Sequence, residues 1–330
     1  MKIKHLILGL AAACIFSIQL SAEENNPLSF GITTDFAYYP KSAFIAGPSH
    51  FAPITGAYSG VEGRVTGNLN YKIATPFGEH WLVKDANITL GAKLEVSPVS
   101  LKPGLTVSFT PLPFLVFSTG VEAGSGWNLL GIKGMAYLTT DNNGKLVYND
   151  YAPFTCYLVK WYGQGTFQFD TGALVKGDWT HVQLMYTYQI YYEALTNAKK
   201  GDIWMWQATG NKANGWSDYQ SLILAYQMPL VLSRIGVLAE FEGHYSNLDY
   251  TPENGLNPYS EFNGAFKKIS ISPLMQFSFG EHDTLAVLFG FSSRRSFVEN
   301  HTETINEPYL TFAGREWFFN RVALSWTHNF

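Results

Sequence analysis

Polar and apolar residues alternate along most of the chain, and the segment 61–73 shows the pattern clearly. In a helix these charges would be spread around the circumference, whereas a strand separates them from the apolar residues onto opposite faces. The pattern therefore predicts a strand with one polar and one apolar face. The apolar face carries Val61, Val65, Leu69, Tyr71 and Ile73, and the polar face carries Glu62, Arg64, Thr66, Asn68, Asn70 and Lys72.

The same alternation recurs and predicts about twelve strands. A further hairpin around the Asn143-Gly144 turn would raise the count to about fourteen. Pro273 interrupts one predicted strand, so we expect a bulge or a register shift there. The predicted ranges are 28–39, 59–75, 84–97, 100–110, 114–124, 155–169, 179–193, 217–229, 234–246, 266–279, 284–297 and 315–330.

The connections between these strands alternate in length. One set is short, as at 110–113, 229–233 and 280–283, and the other set is mostly long and rich in Gly, Asn, Pro and Trp. Short turns at one end and long loops at the other are typical of membrane-spanning β-barrels. An even number of strands would place both termini at the end with short turns. The long connections are 40–58, 125–154, 194–216, 247–265 and 298–314, and the short link at Ser97-Pro98 is the exception.

The last strand ends in Phe330, and every second residue before it is apolar or aromatic except His328. This pattern resembles the C-terminal signature of Gram-negative outer-membrane β-barrels, which the barrel-assembly machinery recognises. The resemblance implies an all-β fold, a single antiparallel transmembrane barrel with long extracellular loops, short periplasmic turns and periplasmic termini. Residues 109–127 also resemble a turn-and-strand segment of spirochaete outer-membrane proteins. The residues that carry the assembly signature are Val322, Leu324, Trp326 and Phe330.

The N-terminus has the features of an export signal, with a basic start, an apolar stretch and a small-residue cleavage point. We therefore predict a signal peptide at 1–22 and an outer-membrane barrel at 23–330. Lipidation of Cys14 is the alternative, but the apolar run 15–18 continues past it and favours the later cleavage. Cys156 is then the one remaining cysteine, so no intrachain disulfide is predicted.

Composition agrees with a lipid-facing surface. Charged residues make up 15% of the chain and aromatic residues 16%, against about 25% charged residues in average soluble proteins. The mean hydropathy of −0.02 does not reveal a membrane barrel, because inward and outward residues cancel. The net charge of −4 predicts no nucleic-acid partner. The structural alternative is a secreted β-sandwich, which would stay soluble without detergent.

Charges of both signs lie on the predicted inner face. They could line a pore for small solutes, or they could pair across strands and fill the barrel. Barrels of about 8 strands are filled by side chains and those of about 16–18 strands leave a channel, so about twelve lies between. The predicted lumen residues are Glu62, Arg64, Lys72, Lys93, Glu95, Lys160, Glu193, Arg234, Glu240, Glu242, Lys268 and Arg294.

Glu242 and His244 form the one candidate for catalysis, because residues two apart share a strand face and the carboxylate could orient the imidazole. Outer-membrane aspartyl-type proteases set such a pair opposite an Asp-x-Asp pair, which this chain does not contain. An outer-membrane phospholipase needs a His and a Ser two apart on one face, with an amide nearby. His181 is followed at that spacing by Gln183 and His244 by Ser246, and we assign neither pair to such a site. We therefore predict no catalytic residue, and the spacing of His and Cys predicts no metal and no cofactor.

The aromatic residues have two interpretations. Most fall near strand ends, as the girdles of a membrane barrel do. Trp204, Trp206 and Trp216 fall in or beside a long loop, where they predict an exposed patch that binds a ligand, unless they pack inside their own loop. The segment 127–138 is apolar enough for a loop helix or a plug folded into the barrel.

The sequence favours a narrow porin-like channel in the outer-membrane lipid, through which small solutes diffuse. The alternative is an adhesin whose loops bind a host or surface ligand while the barrel serves as an anchor. A rim enzyme of protease or lipase type is the third hypothesis. Deleting 194–216 would separate the first two, because an adhesin would lose binding and a pore would still conduct.

Overall fold

The computed structural model describes residues 27–199, 202–245, 266–300, 307 and 310–330. The predicted signal peptide and Cys14 lie outside these residues. Within them, twelve long strands form one closed antiparallel sheet, and each overlaps a predicted strand. A thirteenth strand of two residues, His50–Phe51, adds to this sheet by parallel pairing with Glu316 and Trp317. The strands are β1 (Leu28–Ser42), β2 (Ile54–Ala74), β3 (Asn87–Ser97), β4 (Ser100–Leu112), β5 (Leu115–Gly126), β6 (Leu158–Asp170), β7 (Val182–Leu195), β8 (Gly215–Gln227), β9 (Leu232–His244), β10 (Lys268–Phe279), β11 (Asp283–Phe297) and β12 (Phe312–Asn329).

The first and last strands close the sheet into a barrel. β1 pairs with β2 on one edge and with β12 on the other, from Gly31 opposite Asn329 to Tyr38 opposite Val322. Closure removes the free strand edges that would otherwise pair with other chains. The prediction of a single all-β antiparallel barrel of about twelve strands is confirmed.

The alternating polar and apolar residues lie on the inner and outer faces of the barrel, because successive side chains of a strand point to opposite faces. On β2 the outward Val65 and Leu69 are 45% and 44% exposed, whereas the inward Arg64 and Thr66 are 6% and 4% exposed. Large apolar side chains on other strands are also exposed outward, up to 62% for Leu105. In the part of the chain that is described, no helix has the length and apolarity that crossing a membrane requires.

The two ends of the barrel differ. The turn end carries both termini and the connections 75–86, 113–114, 171–181, 228–231 and 280–282. Two of these, 75–86 and 171–181, are longer than the predicted short turns, and the second contains a 3-10 turn at Thr171–Ala173. The opposite end, called the loop end below, carries the connections 43–53, 98–99, 127–157, 196–214, 245–267 and 298–311.

Two loops at the loop end join in a second sheet, called the lid below. Its strands, in spatial order, are Leu146–Asp150, Met135–Thr140, Trp204–Trp206 and Thr209–Lys212. The predicted Asn143-Gly144 hairpin is present, but its strands belong to the lid and do not raise the barrel to fourteen strands. The segment 127–138 forms short strands of this region and no helix.

The expected irregularity at Pro273 is not found. β10 pairs with β9 in one register from Arg234 opposite Gln276 to Glu242 opposite Lys268, with Pro273 opposite Val237. On its other edge, β10 makes no pairs with β11 between Ile271 and Leu274, and the register is the same on both sides of this gap. The gap accommodates Pro273, which has no backbone N–H to donate. Register shifts lie elsewhere, among them one between Leu232 and Arg234 at the start of β9. Another lies between β11 and β12, where Asn320 is an extra residue and its amide donates to Ser292 Oγ at 3.1 Å.

Candidate functional site in the barrel lumen

The twelve predicted lumen residues all lie on the inner face of the barrel. They occupy the same alternate positions as the buried residues of their strands. Lys72 lies at the turn end of β2 and is exposed, whereas the other eleven are buried or half-buried. Their place on the inner face follows from strand parity, which the sequence pattern contained.

Several inward charged residues were missing from the prediction. Asp35, Lys102, Glu122 and Arg321 are inward and buried or half-buried in β1, β4, β5 and β12. The signal for them was present, because each alternates with an outward apolar neighbour in a strand that the sequence did predict.

A chain of ion pairs runs along the inner face of β1 to β5. Arg64 Nε donates to Asp35 Oδ2 at 2.8 Å, and Arg64 Nη1 lies 3.7 Å from Glu95 Oε2. Lys102 Nζ lies 3.4 Å from Glu95 and 3.3 Å from Glu122. Lys93 also pairs with Glu122. Charges of opposite sign therefore alternate from strand to strand.

The charged layer continues on β6 to β10 with tyrosines between the charges. Lys160 Nζ lies 4.1 Å from the centre of the Tyr191 ring, a cation–π contact. The Tyr191 hydroxyl donates to Glu242 Oε1 at 3.3 Å. In the register, Lys160 lies opposite Glu193, and Glu242 opposite Lys268.

The layer closes back onto β12 and β1. Tyr219 donates to Glu240 Oε1 at 2.8 Å, and Arg321 Nη2 lies 4.0 Å from Glu240 Oε2. The Tyr39 hydroxyl donates to Glu62 Oε2 at 2.8 Å. The charged layer therefore extends around the inner circumference, as the pairing alternative in the sequence analysis described.

Part of the lumen is apolar. A cluster of buried residues from β1 and from β7 to β12 lines the side of the lumen that these strands enclose. Such residues on a barrel's inner face exclude water from their side of the lumen. The cluster consists of Ala37, Tyr39, Met185, Ile223, Ala225, Leu238, Leu274, Ala286, Leu288 and Ala323.

The lid has its own buried core. Trp204 is 0% exposed and packs with Met135, Trp206, and the wall residues Leu158 and Leu195 of β6 and β7. A second cluster joins lid residues to Phe297 of β11, on a different part of the wall. The lid therefore packs on two parts of the wall at the loop end of the barrel.

Polar contacts fix the lid to the inner wall. Gln207 Nε2 donates to Glu95 Oε1 at 3.2 Å and to Ser100 Oγ at 2.8 Å. Lys212 Nζ donates to Glu193 Oε2 at 2.8 Å. Trp206 fits over Gly124 of β5, where a Cβ atom would stand 2.9 Å from Trp206 Cη2. The lid therefore meets the charged layer directly.

The loop 43–53 also folds inward. The Phe44 ring stacks on the Arg294 guanidinium, with 3.7 Å between ring centre and Cζ. Arg294 pairs with Glu316, which also accepts from the Ile45 amide at 3.0 Å and from His50 Nε2 at 2.8 Å.

One cavity within the charged layer is small. The cavity between Glu240, Glu242, Lys268 and Arg321 holds about 20 Å³. A water molecule needs at least about 10–15 Å³ of such space. This cavity therefore has room for one water and for no organic solute in the present arrangement.

The three tryptophans proposed as a loop patch do not lie together. Trp204 and Trp206 are 0% and 6% exposed, which corrects the expectation of an exposed patch, because both pack between the lid and the wall. Trp216 is 44% exposed on the outer wall. Its ring contacts Trp161 and Tyr192 at 5.7 and 5.5 Å between ring centres, as in a band around the barrel.

The candidate catalytic pair has other partners. His244 Nδ1 bonds Ser217 Oγ at 2.6 Å, and Ser217 is its cross-strand neighbour. Glu242 accepts a hydrogen bond from the Tyr191 hydroxyl. Ser217 is 1% exposed, so this hydroxyl is closed to a substrate in the present arrangement.

The residues of the assembly signature lie on the outer face of β12. Val322 and Leu324 are cross-strand partners of Tyr38 and Phe36. Phe330 stacks on Phe30 with 5.1 Å between ring centres, and its N–H donates to the Phe30 carbonyl at 3.0 Å. The signature strand therefore also completes the closure of the barrel.

No protein-family model matches the chain, and no curated protein matches it at significant similarity. Similar solved structures include the β domain of the Bordetella autotransporter BrkA, with 9% identity, a TM-score of 0.38, and coverage of 92% of this chain and 99% of that one. OmpT of Vibrio cholerae has 9% identity and a TM-score of 0.36, with 93% and 99% covered. OprB of Pseudomonas putida has 9% identity and a TM-score of 0.33, with 92% and 94% covered. Likenesses this distant assign neither a family nor an activity to the chain.

Proposed function

We propose that the chain spans the outer membrane and that its lumen is a narrow path for small solutes, closed in this state by the lid. The apolar outer wall supports the membrane location, because so many exposed apolar side chains would be unfavourable in water and favourable in lipid. Both termini would then lie on the periplasmic side, since outer-membrane barrels keep their short turns there.

The charged layer is the observation that carries the channel. Buried ion pairs are often no more stabilising than apolar side chains of the same volume, because their desolvation offsets their attraction. A barrel that serves only as an anchor would gain nothing from them. A path for polar solutes needs such groups, since they replace the water that the solute loses.

The lid is the proposed gate. Its polar contacts with the inner wall come from Gln207 and Lys212, and both reach carboxylates of the charged layer. Release of these contacts would weaken the attachment of the lid to the inner wall. The lid would then leave the wall more often, and the charged layer would face the loop-end solution.

The test is single-channel recording of the refolded protein in planar lipid bilayers. We expect rare openings for the wild type and a higher open probability for the double variant Gln207→Ala/Lys212→Ala. The matched control is Asn143→Ala/Lys145→Ala, which removes an amide and a lysine from the exposed tip of the lid hairpin.

The channel would be contradicted if the wild type, the lid variant and the control variant all fold but conduct no current. Equal open probabilities in the lid variant and its control would contradict the gate alone. In an open channel, neutralising Glu62 or Arg64 should shift the ratio of cation to anion permeability in opposite directions.

Surface binding remains the second candidate, and Leu130 favours it. Leu130 is 93% exposed at the tip of the hairpin Asn128–Lys133 and has a positive φ of 52°. A large exposed side chain on strained backbone is a feature that binding sites retain. Replacing Leu130 with Asn should abolish adhesion of cells that display the protein and leave conductance unchanged, whereas unchanged adhesion would remove this candidate.

A further inference from the structure

Arg234 of β9 is buried in the lumen near the turn end. It is 9% exposed, and Nη1 donates to Gln276 Oε1 at 3.2 Å. A guanidinium has five N–H donors, so most of its hydrogen-bonding capacity is not used by this contact.

The other buried arginines of the barrel have carboxylate partners. Arg64 pairs with Asp35, Arg294 with Glu316, and Arg321 with Glu240. Within the described ranges, no carboxylate lies within the 4.0 Å of an ion pair with Arg234. A buried cation without an anion is costly, which makes this position different from the others.

Asp170, an acidic residue at the same end of the barrel, already has hydrogen-bond partners. Asp170 Oδ1 accepts from the Gly172 N–H at 2.7 Å and from His181 Nδ1 at 2.9 Å. Its Oδ2 accepts from Gln183 Nε2 at 2.9 Å. Asp170 is therefore held by its own turn and not by Arg234.

The surroundings of Arg234 are neutral and partly apolar. Its cross-strand neighbours are Gln227 and Gln276. The next inward position along β9 is Gly236, which lies between Ala225 and Leu274 of the apolar cluster. A ligand on the guanidinium would thus meet amide groups at its polar end and aliphatic side chains at the other.

We propose that Arg234 is the anchor of a binding site for small monocarboxylates with a short aliphatic tail, entered from the turn end. A carboxylate fits the guanidinium with two parallel charge-assisted hydrogen bonds, and the tail would lie against Ala225 and Leu274. That such acids are the permeants rests on the channel proposed above. Binding itself does not depend on conduction.

The test uses butyrate as the probe and the refolded protein in detergent. Isothermal titration calorimetry gives the dissociation constant, with phosphate and butylammonium as comparison ligands at equal ionic strength. We expect butyrate to bind more tightly than either. Arg234→Gln should raise the butyrate dissociation constant about tenfold or more, because the charged bonds are lost. Lys84→Gln, which removes a positive charge from the exposed connection 75–86 at the same end, should leave it unchanged.

Arg234→Lys keeps the charge but not the paired geometry, so its dissociation constant should lie between those of wild type and Arg234→Gln. The Arg234→Lys variant also tests the binding site if Arg234→Gln does not fold. Wild-type affinity in both Arg234 variants, no butyrate binding, or equal binding of phosphate would overturn the proposal.

Recordings in lipid bilayers test the proposed binding site and the proposed channel separately. Arg234-dependent binding in a barrel that is silent in bilayers would support the site and contradict the channel. Conduction without such binding would contradict the site and leave the channel standing.

Discussion

Glu122 is the residue at which the lumen charges converge. Lys93 and Lys102 both pair with it, and Lys160 lies opposite it in the register. Removing its charge would leave these lysines around a neutral group in a site that is 8% exposed. The charge of Glu122 therefore compensates lysines on three other strands.

Glu122→Gln should lower the free energy of unfolding by about 3–5 kcal/mol, the usual cost of breaking a buried ion pair from one side. Urea unfolding in detergent micelles, followed by tryptophan fluorescence, measures this loss. Glu281→Gln in an exposed turn is the control and should change the same quantity by no more than about 0.5 kcal/mol. Equal losses for the two variants would argue against the charge network.

His50 makes the loop 43–53 sensitive to pH. Its ring bonds two acceptors, the Pro48 carbonyl at 2.6 Å and Glu316 at 2.8 Å. The bond to the Pro48 carbonyl and then the bond to Glu316 raise the pKa of His50 above 6.5, while partial burial acts in the opposite direction. The protonated ring satisfies both acceptors because both nitrogens then donate.

The pKa of His50 is higher in the folded loop than in the unfolded chain. The stabilisation that His50 contributes is therefore complete below the unfolded-state pKa and is lost as the pH rises through the folded-state pKa. Hydrogen-exchange protection factors of the Ile45 and Ala52 amides should therefore fall as the pH rises above about 6.5. His50→Gln should remove this dependence. A wild type and a variant with the same pH profile would contradict the assignment.

At the scale of elements, the lid is the part of the molecule that the local pattern did not reveal. Its strands have three to six residues and come from two loops, 127–157 and 196–214. Pairing between Trp204 and Tyr137 joins residues far apart in the sequence. Short segments carry too little periodicity to predict, and their pairing depends on contacts that form only when the barrel brings the loops together.

Trp204→Ala should cost the lid about 3–5 kcal/mol, since the ring is fully buried in its core. Hydrogen exchange should show lost protection in the strands Met135–Thr140 and Thr209–Lys212, while β1 to β12 remain protected. Trp81→Ala removes a ring that is 62% exposed in the turn 75–86 and serves as the control. Loss of protection throughout the barrel would show that the lid is not a separate unit.

At the scale of the whole molecule, the outer wall decides whether the barrel faces lipid or water. Leu105 lies on the outer face of β4 and is 62% exposed. In a membrane, an arginine at such a position costs about 2–4 kcal/mol near the midplane. In water, the same exposed substitution would change stability by no more than about 0.5 kcal/mol.

Leu105→Arg should therefore destabilise the barrel in phospholipid vesicles by about 2–4 kcal/mol. Leu174→Arg, at a residue that is 76% exposed in the connection 171–181, is the control outside the wall. Urea unfolding in vesicles measures both. A negligible effect at Leu105, with a fully folded protein in buffer without detergent, would favour a soluble barrel.

The sequence by itself determined the strands, their number and the face on which each charged residue lies, because alternation is a property of each short segment. Lys102 and Glu122 could have been placed by the same rule. Tertiary structure alone decided which charges pair, that Trp204 and Trp206 are buried and that a register shift falls at Asn320. It also decided that Arg234 has no carboxylate partner among the residues that the structure describes. These features depend on the stagger between strands and on packing between distant loops, and both are fixed only when the first strand meets the last.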